Sequence, residues 1–197
     1  EGAVTLVLVH GRGERAGGMG QCALQQVETP VAMVAPEAVG WEWYPESFLA
    51  PREANEPSLS SAIAVVDAAI DLAQAAGAAP GSIVGVGFSQ GACLVAETVL
   101  RRGERLGGAV MLSGGLIGAP ERSFSTDADL AGMPAFVGVS DDDPHIPLAR
   151  AAETAETFEA AGADVRFDAY EGVGHTIVDE EVAYLNALVD ETAVRES

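Results

Sequence analysis

Ser89, His175 and one aspartate among Asp141, Asp142 and Asp143 have the types and separations that nucleophilic attack on a carbonyl requires. Ser89 stands in Gly87-Phe88-Ser89-Gln90-Gly91, a G-x-S-x-G pattern between an apolar run and a helix-forming run. A strand that passes straight into a helix forces the joining residue into a strained turn and lifts its hydroxyl above the sheet edge. Glycines on either side leave room for that turn. Such a pentapeptide is also an ordinary glycine-rich turn unless partners exist elsewhere in the chain. A serine hydroxyl needs a base to take its proton, and the base needs a third group to fix its tautomer.

The chain has three histidines. In doubly wound hydrolases the acid and the base follow the serine in chain order, which removes His10. His175, in Gly172-Val173-Gly174-His175-Thr176, follows the last strand-like run and is expected on the same sheet edge as Ser89, as the base. His145, in Asp143-Pro144-His145-Ile146-Pro147, is expected to line the pocket. Among the aspartates Asp143 is favoured, because the proline after it holds it extended, but the spacing leaves all three open. The same carboxylates with His145 also suit a Mg²⁺ or Ca²⁺ site or a solvated acidic loop; the expectation is no metal and no cofactor.

The oxyanion formed on attack needs N–H donors, each worth roughly 3 kcal/mol of barrier. The backbone N–H of Gln90, opening the elbow helix, is one; that of Arg12, in His10-Gly11-Arg12-Gly13 after the first strand, is the other. The Arg12 side chain is expected either at an anionic substrate group or in solvent. Gly11-x-Gly13-x-x-Ala16 with Glu37 also matches a dinucleotide fingerprint, a reading that leaves Ser89, Asp143 and His175 without a role.

The elements that must hold these groups read as strands at 3–9, 31–35, 82–88, 108–112, 135–139 and 165–170, alternating with helices at 58–76, 90–100, 147–161 and 177–194. That alternation predicts a compact α/β fold in one domain over 1–197, about six mainly parallel strands with helices on both faces. Ser58 is expected to cap the first long helix. Two connections are long, 36–57 and 113–134. The first carries Trp41, Trp43, Tyr44 and Phe48, and Trp43, Tyr44 and Phe48 are expected to wall an apolar pocket unless the loop packs on itself.

Composition narrows the partners. With 30 acidic residues against 10 basic ones, all arginine, the net charge of −20 argues against nucleic acid and for adaptation to a salty cytoplasm. The absence of a long apolar run or a basic, apolar leader predicts a cytoplasmic protein without membrane insertion, a monomer or homodimer. Cys22 and Cys93 lack metal or disulfide spacing and read as buried thiols.

The chain resembles the phospholipase/carboxylesterase family of α/β-hydrolases, small serine esterases that include the acyl-protein thioesterases. The likeness rests on 8–13, 87–92, 112–115, 141–147 and 170–176, and covers essentially the whole chain. It implies Ser89 as nucleophile, Asp143 as acid and His175 as base, with the Arg12 and Gln90 backbones as oxyanion donors. It also implies no cofactor, no large cap domain and a small-molecule ester as substrate. Thioesterase members usually carry His-Gly-Leu-Gly-Asp where this chain has His10-Gly11-Arg12-Gly13-Glu14. That difference directs the expectation to short-acyl or aryl esters rather than to lysophospholipids or long-chain acyl-proteins, with a non-catalytic binding protein of the same fold as the rival. The segment 43–49 is similar to a subgroup of small bacterial and archaeal esterases.

Overall fold

A computed structural model describes residues 3–18, 27, 29–120 and 122–195. Six strands form one parallel sheet: β1 (Thr5–Val9), β2 (Ala32–Val34), β3 (Ile83–Phe88), β4 (Gly108–Leu112), β5 (Pro134–Ser140) and β6 (Asp164–Tyr170), in the order β2-β1-β3-β4-β5-β6. Among the elements whose bounds lie in the described residues are the α-helices α1 (Ser58–Ala75), α2 (Gln90–Arg102), α3 (Leu148–Ala160) and α4 (Asp179–Arg195). The strand order reverses between β1 and β3. A parallel sheet opens a crevice beyond the carboxyl ends of its strands at such a switch point, and the loop after β1 and the turn after β3 both empty into it.

Both faces of the central strands are covered. Val7, Val9, Met111 and Val137 pack against Leu59, Ile63 and Ile70 of α1, Leu94 of α2 and Phe158 of α3. Leu6, Leu8, Val84, Val110 and Phe136 face Leu185, Leu188 and Val189 of α4. Burying each such side chain stabilises the fold by roughly 1.5–3 kcal/mol. Helix α1 is long and apolar enough to cross a membrane, yet its apolar side is the one packed on the sheet and on α2. The edge strand β6 departs from the expected coverage: Asp164, Arg166 and Phe167 are exposed, and charges of this kind discourage pairing with another chain.

Ser58 does not cap α1. It is the first helical residue, and the carboxylate of Glu56 instead accepts the Ser60 N–H at 3.1 Å and the Ser60 hydroxyl at 2.8 Å. Cys93 is a buried free thiol, and Cys22 lies outside the described residues.

Candidate active site

Ser89 joins β3 to α2 with φ 54° and ψ −120°, a conformation that L-residues rarely adopt. The turn is pinned from both sides, the Ser89 N–H donating to Leu112 O at 2.9 Å and the Cys93 N–H to Ser89 O at 3.1 Å. Its glycines are obligatory. A Cβ on Gly91 would lie 1.9 Å from Val9 O, and one on Gly87 would lie 2.4 Å from the Gly91 carbonyl carbon. Only bare backbone lets α2 pass so close to β1.

From Ser89 a continuous hydrogen-bonded line runs into the sheet edge. Ser89 Oγ lies 3.0 Å from His175 Nε2, and His175 Nδ1 lies 2.7 Å from Asp143 Oδ2. Asp143 Oδ1 accepts the N–H groups of His145 at 2.8 Å and Ile146 at 3.0 Å, so the carboxylate is held at both oxygens. Burial pushes the Asp143 carboxyl up, but hydrogen bonds from His175 and the two backbone donors outweigh it and leave its pKa below the ordinary value. An ionised Asp143 places the imidazole proton on Nδ1 and leaves the Nε2 lone pair facing the serine. The ring of His175 packs on Phe88 at 4.9 Å between centroids and meets the edge of His145 at 5.0 Å.

The other two aspartates hold the loop that carries His175. Asp141 Oδ1 accepts the Gly172 N–H at 2.9 Å, and Asp142 Oδ1 accepts the Gly174 N–H at 2.9 Å and the Ser140 hydroxyl at 2.6 Å. The Ser140 bond first, then that of Gly174, holds the Asp142 carboxyl below its ordinary pKa. Ser140, at the end of β5, also receives the Val173 N–H at 3.2 Å. Sequence reasoning did not single out this serine, because the loop N–H groups it accepts, those of Val173 and Gly174, lie some thirty residues away.

Across the crevice, His10 is fully buried and both ring nitrogens are engaged, Nδ1 with Gly11 O at 2.7 Å and Nε2 with the Ala38 N–H at 3.1 Å. The backbone N–H groups of Arg12 and Gln90 make no hydrogen bond among the described residues, and both residues line the same cavity as Ser89. The dinucleotide reading loses its donors here. The Gly11 N–H is taken by Glu14 at 2.9 Å, and Glu37, the would-be ribose partner, accepts the Ala16 N–H at 3.2 Å.

The cavity holds about 380 Å³. Tyr44, Phe48, Cys93 and Ile146 form its buried, apolar part, and Glu46, Ser47 and His145 its exposed rim. Burial pushes the Cys93 thiol up to about 11, so it stays protonated and offers no second nucleophile. Trp43 does not line the cavity. Its ring is buried behind the wall, 4.8 Å from His10, and its Nε1 donates to His10 O at 2.8 Å. The Arg12 guanidinium reaches neither a free anion site nor bulk solvent alone. It binds the carbonyls of Tyr44, Pro45 and Glu46 and the carboxylate of Glu42.

The profile of the phospholipase/carboxylesterase family matches residues 1–192. A probable carboxylesterase, SOBER1-like, of Arabidopsis thaliana is 33% identical over 136 residues, 68% of this chain and 51% of that protein. Acyl-protein thioesterase 1 of Gibberella zeae is 32% identical over 118 residues, 57% of this chain and 49% of that protein. The chain thus spans about half the length of these curated relatives. The solved structure of a phospholipase/carboxylesterase from Dyadobacter fermentans is similar with a TM-score of 0.89 and 33% identity, covering 96% of this chain and 90% of that one. Arabidopsis thaliana SOBER1, 22% identical with a TM-score of 0.78 over 96% of this chain and 99% of its own, shares the fold.

Proposed function

Because the chain belongs to the phospholipase/carboxylesterase family of α/β-hydrolases, we propose that it is a serine carboxylesterase acting on short-acyl or aryl esters. The observation that carries this is the unbroken line from Asp143 through His175 to Ser89, opening on a cavity with two free N–H donors beside it. Ser89 Oγ attacks the ester carbonyl carbon as its proton passes to His175 Nε2. The carbonyl oxygen, now negative, is received by the N–H groups of Arg12 and Gln90, the latter at the positive end of α2. Collapse breaks the bond to the alcohol oxygen, which takes the proton from His175 and leaves an acyl-Ser89 ester. Water then attacks that ester, His175 takes its proton, and breaking the Ser89 ester bond returns the hydroxyl and a carboxylic acid. Asp143 steadies the imidazolium in both halves. A thioester fits the same steps, with a thiol leaving.

Short acyl groups are favoured by what closes the cavity. Tyr44 and Cys93 are both buried, and one helical turn beyond Cys93 the Glu97 carboxylate pairs with Arg52 at 2.7 Å. Within about 380 Å³ a longer chain would press on Tyr44, Phe48 and Cys93, which are packed into the core. Turnover of p-nitrophenyl esters from acetyl to octanoyl tests this: kcat/KM is expected to peak at acetyl to butyryl and to fall by roughly tenfold or more at octanoyl. A peak at octanoyl would point instead to lysophospholipid or acyl-protein substrates. Failure to turn over any ester by well-folded protein would favour a binding protein.

A further inference from the structure

Both residues that offer an oxyanion N–H send their side chains to one short segment of the pocket wall. Arg12 Nη2 donates to Tyr44 O at 2.9 Å and Glu46 O at 3.0 Å, and Nη1 to Pro45 O at 2.9 Å and to Glu42. From the opposite side, Gln90 Nε2 donates to the same Tyr44 O at 2.9 Å, and Gln90 Oε1 accepts the Trp43 N–H at 3.2 Å. A single carbonyl oxygen therefore bridges the two halves of the oxyanion hole. The amide can face only one way, because turning it over would set Nε2 against an N–H and Oε1 against a carbonyl. Two further bonds close the assembly, Trp43 Nε1 to His10 O at 2.8 Å and the Gly13 N–H to Trp41 O at 2.7 Å.

We propose that the side chains of Arg12 and Gln90 are positioning groups, which fix the two oxyanion-hole N–H groups to the Trp43–Glu46 segment so that the hole and the pocket wall move as one body. The inference rests on the serine esterase reading of the same site. Its physical ground is the unequal rigidity of the two donors. The Gln90 N–H is set by the first turn of a long helix, whereas the Arg12 N–H lies between two glycines, and Gly13 has φ +78°. A glycine-flanked peptide is free to turn unless something holds it. Oxyanion donors contribute fully only when they already sit within about 2.7–3.1 Å of the developing charge. His10 Nδ1 at 2.7 Å and the Glu14 N–H at 3.2 Å hold the carbonyl of that peptide, Gly11 O, and the planar guanidinium, with several donors on three successive carbonyls, ties it to the pocket wall, as a lysine ammonium cannot. The arginine that replaces an apolar residue thus serves the geometry of the hole, and substrate charge has no part in it.

The test compares Arg12→Met, Gln90→Met and the double variant with wild type in three measurements: Tm, kcat and KM on p-nitrophenyl acetate, and inhibition by phenylboronic acid, which forms a tetrahedral adduct on the serine. Arg12→Met is expected to lose about 10- to 100-fold in kcat, the scale of a misplaced transition-state contact, and Gln90→Met, whose own N–H the helix sets, to lose less, through the shared Tyr44 carbonyl, with KM changed by less than about threefold in both. The boronic acid is expected to weaken in proportion to the loss in kcat/KM, as a transition-state mimic does. The double variant is expected to lose less than the product of the singles, because both side chains grip one carbonyl. Should Arg12→Met fail to fold, Arg12→Lys keeps the charge without the fork and is expected to show the same kcat loss. Wild-type kcat in the folded variants, a loss confined to KM, or a fully multiplicative double variant would overturn the proposal. A wild-type protein that neither hydrolyses the acetate nor binds the boronic acid would instead overturn the esterase reading beneath it.

Discussion

At Asp143 the two carboxylate oxygens have separate tasks, Oδ1 taking the backbone donors of its own loop and Oδ2 facing His175. The group is oriented before the histidine is considered, which is what a tautomer-fixing acid requires. Asp143→Asn keeps the shape but can present an N–H to Nδ1, favouring the wrong tautomer, and is expected to lower kcat by roughly 10³–10⁴-fold with little change in fold. Steady-state kinetics beside a circular dichroism melt checks both parts, and a loss of less than tenfold would remove Asp143 from the mechanism. Its depressed pKa has a second consequence. A carboxyl lowered by folding contributes stability above its unfolded value and loses it as pH falls through the folded one. Asp143 therefore stays ionised through mild acid, and a fall of kcat/KM there is not expected to come from this carboxyl. Some of this was legible in the sequence. Chain order pointed to His175, and Pro144 pointed to Asp143. The roles of Asp141, Asp142 and Ser140 were not, because each is a contact between loops that are distant in the chain.

Among the elements, the strand–turn–helix from β3 to α2 is legible in its glycines, and the strand end at Phe88 and helix start at Gln90 agree because steric exclusion is local. The start of α1 differs from its sequence signal. A serine before an apolar face looks like a cap, but Pro57 displaces the boundary and Glu56 reaches over it. The aromatics of the 36–57 connection point either to a pocket wall or to a loop packed on itself; Tyr44 and Phe48 line the cavity, whereas Trp43 is a strut behind it. Nothing in composition separates a ring that faces a cavity from one that supports it. The same limit applies to the arginines: Arg12, Arg52, Arg105, Arg122 and Arg150 all donate to loop carbonyls, so these cations staple connections together. Helix α4 buries a carboxylate against the sheet. Glu181 in its first turn is buried, accepts the Val178 N–H at 3.0 Å, and packs its Oε1 against Gly138 of β5, and burial raises its pKa from 4.5 to about 7. A raised folded pKa means stability is fully present below the unfolded value and is lost as pH rises through the folded one. Chemical unfolding across that window is expected to show a decline of up to roughly 3 kcal/mol from this group, and Glu181→Gln is expected to flatten it. An unchanged slope in Glu181→Gln would contradict this.

For the molecule as a whole, charge is the dominant property. A net −20 on 197 residues repels itself in dilute buffer, and several of its 10 arginines divide their donors between carboxylates and loop carbonyls. Molar salt shortens the screening length to about 3 Å, so Tm is expected to rise as KCl increases from dilute to molar. A Tm that falls steadily over that range would count against adaptation to salt. A mainly parallel sheet covered by helices followed from the alternation of apolar runs; the switch point between β1 and β3 and the exposure of β6 did not, since both depend on strand order. Whether Ser89 is the nucleophile is tested most directly by the intact mass of the protein after reaction with a fluorophosphonate in molar KCl. One phosphonyl adduct on the wild type, mapped to Ser89 and absent from Ser89→Ala, is the expected result. An unmodified, well-folded wild type, or an equal adduct on Ser89→Ala, would contradict it.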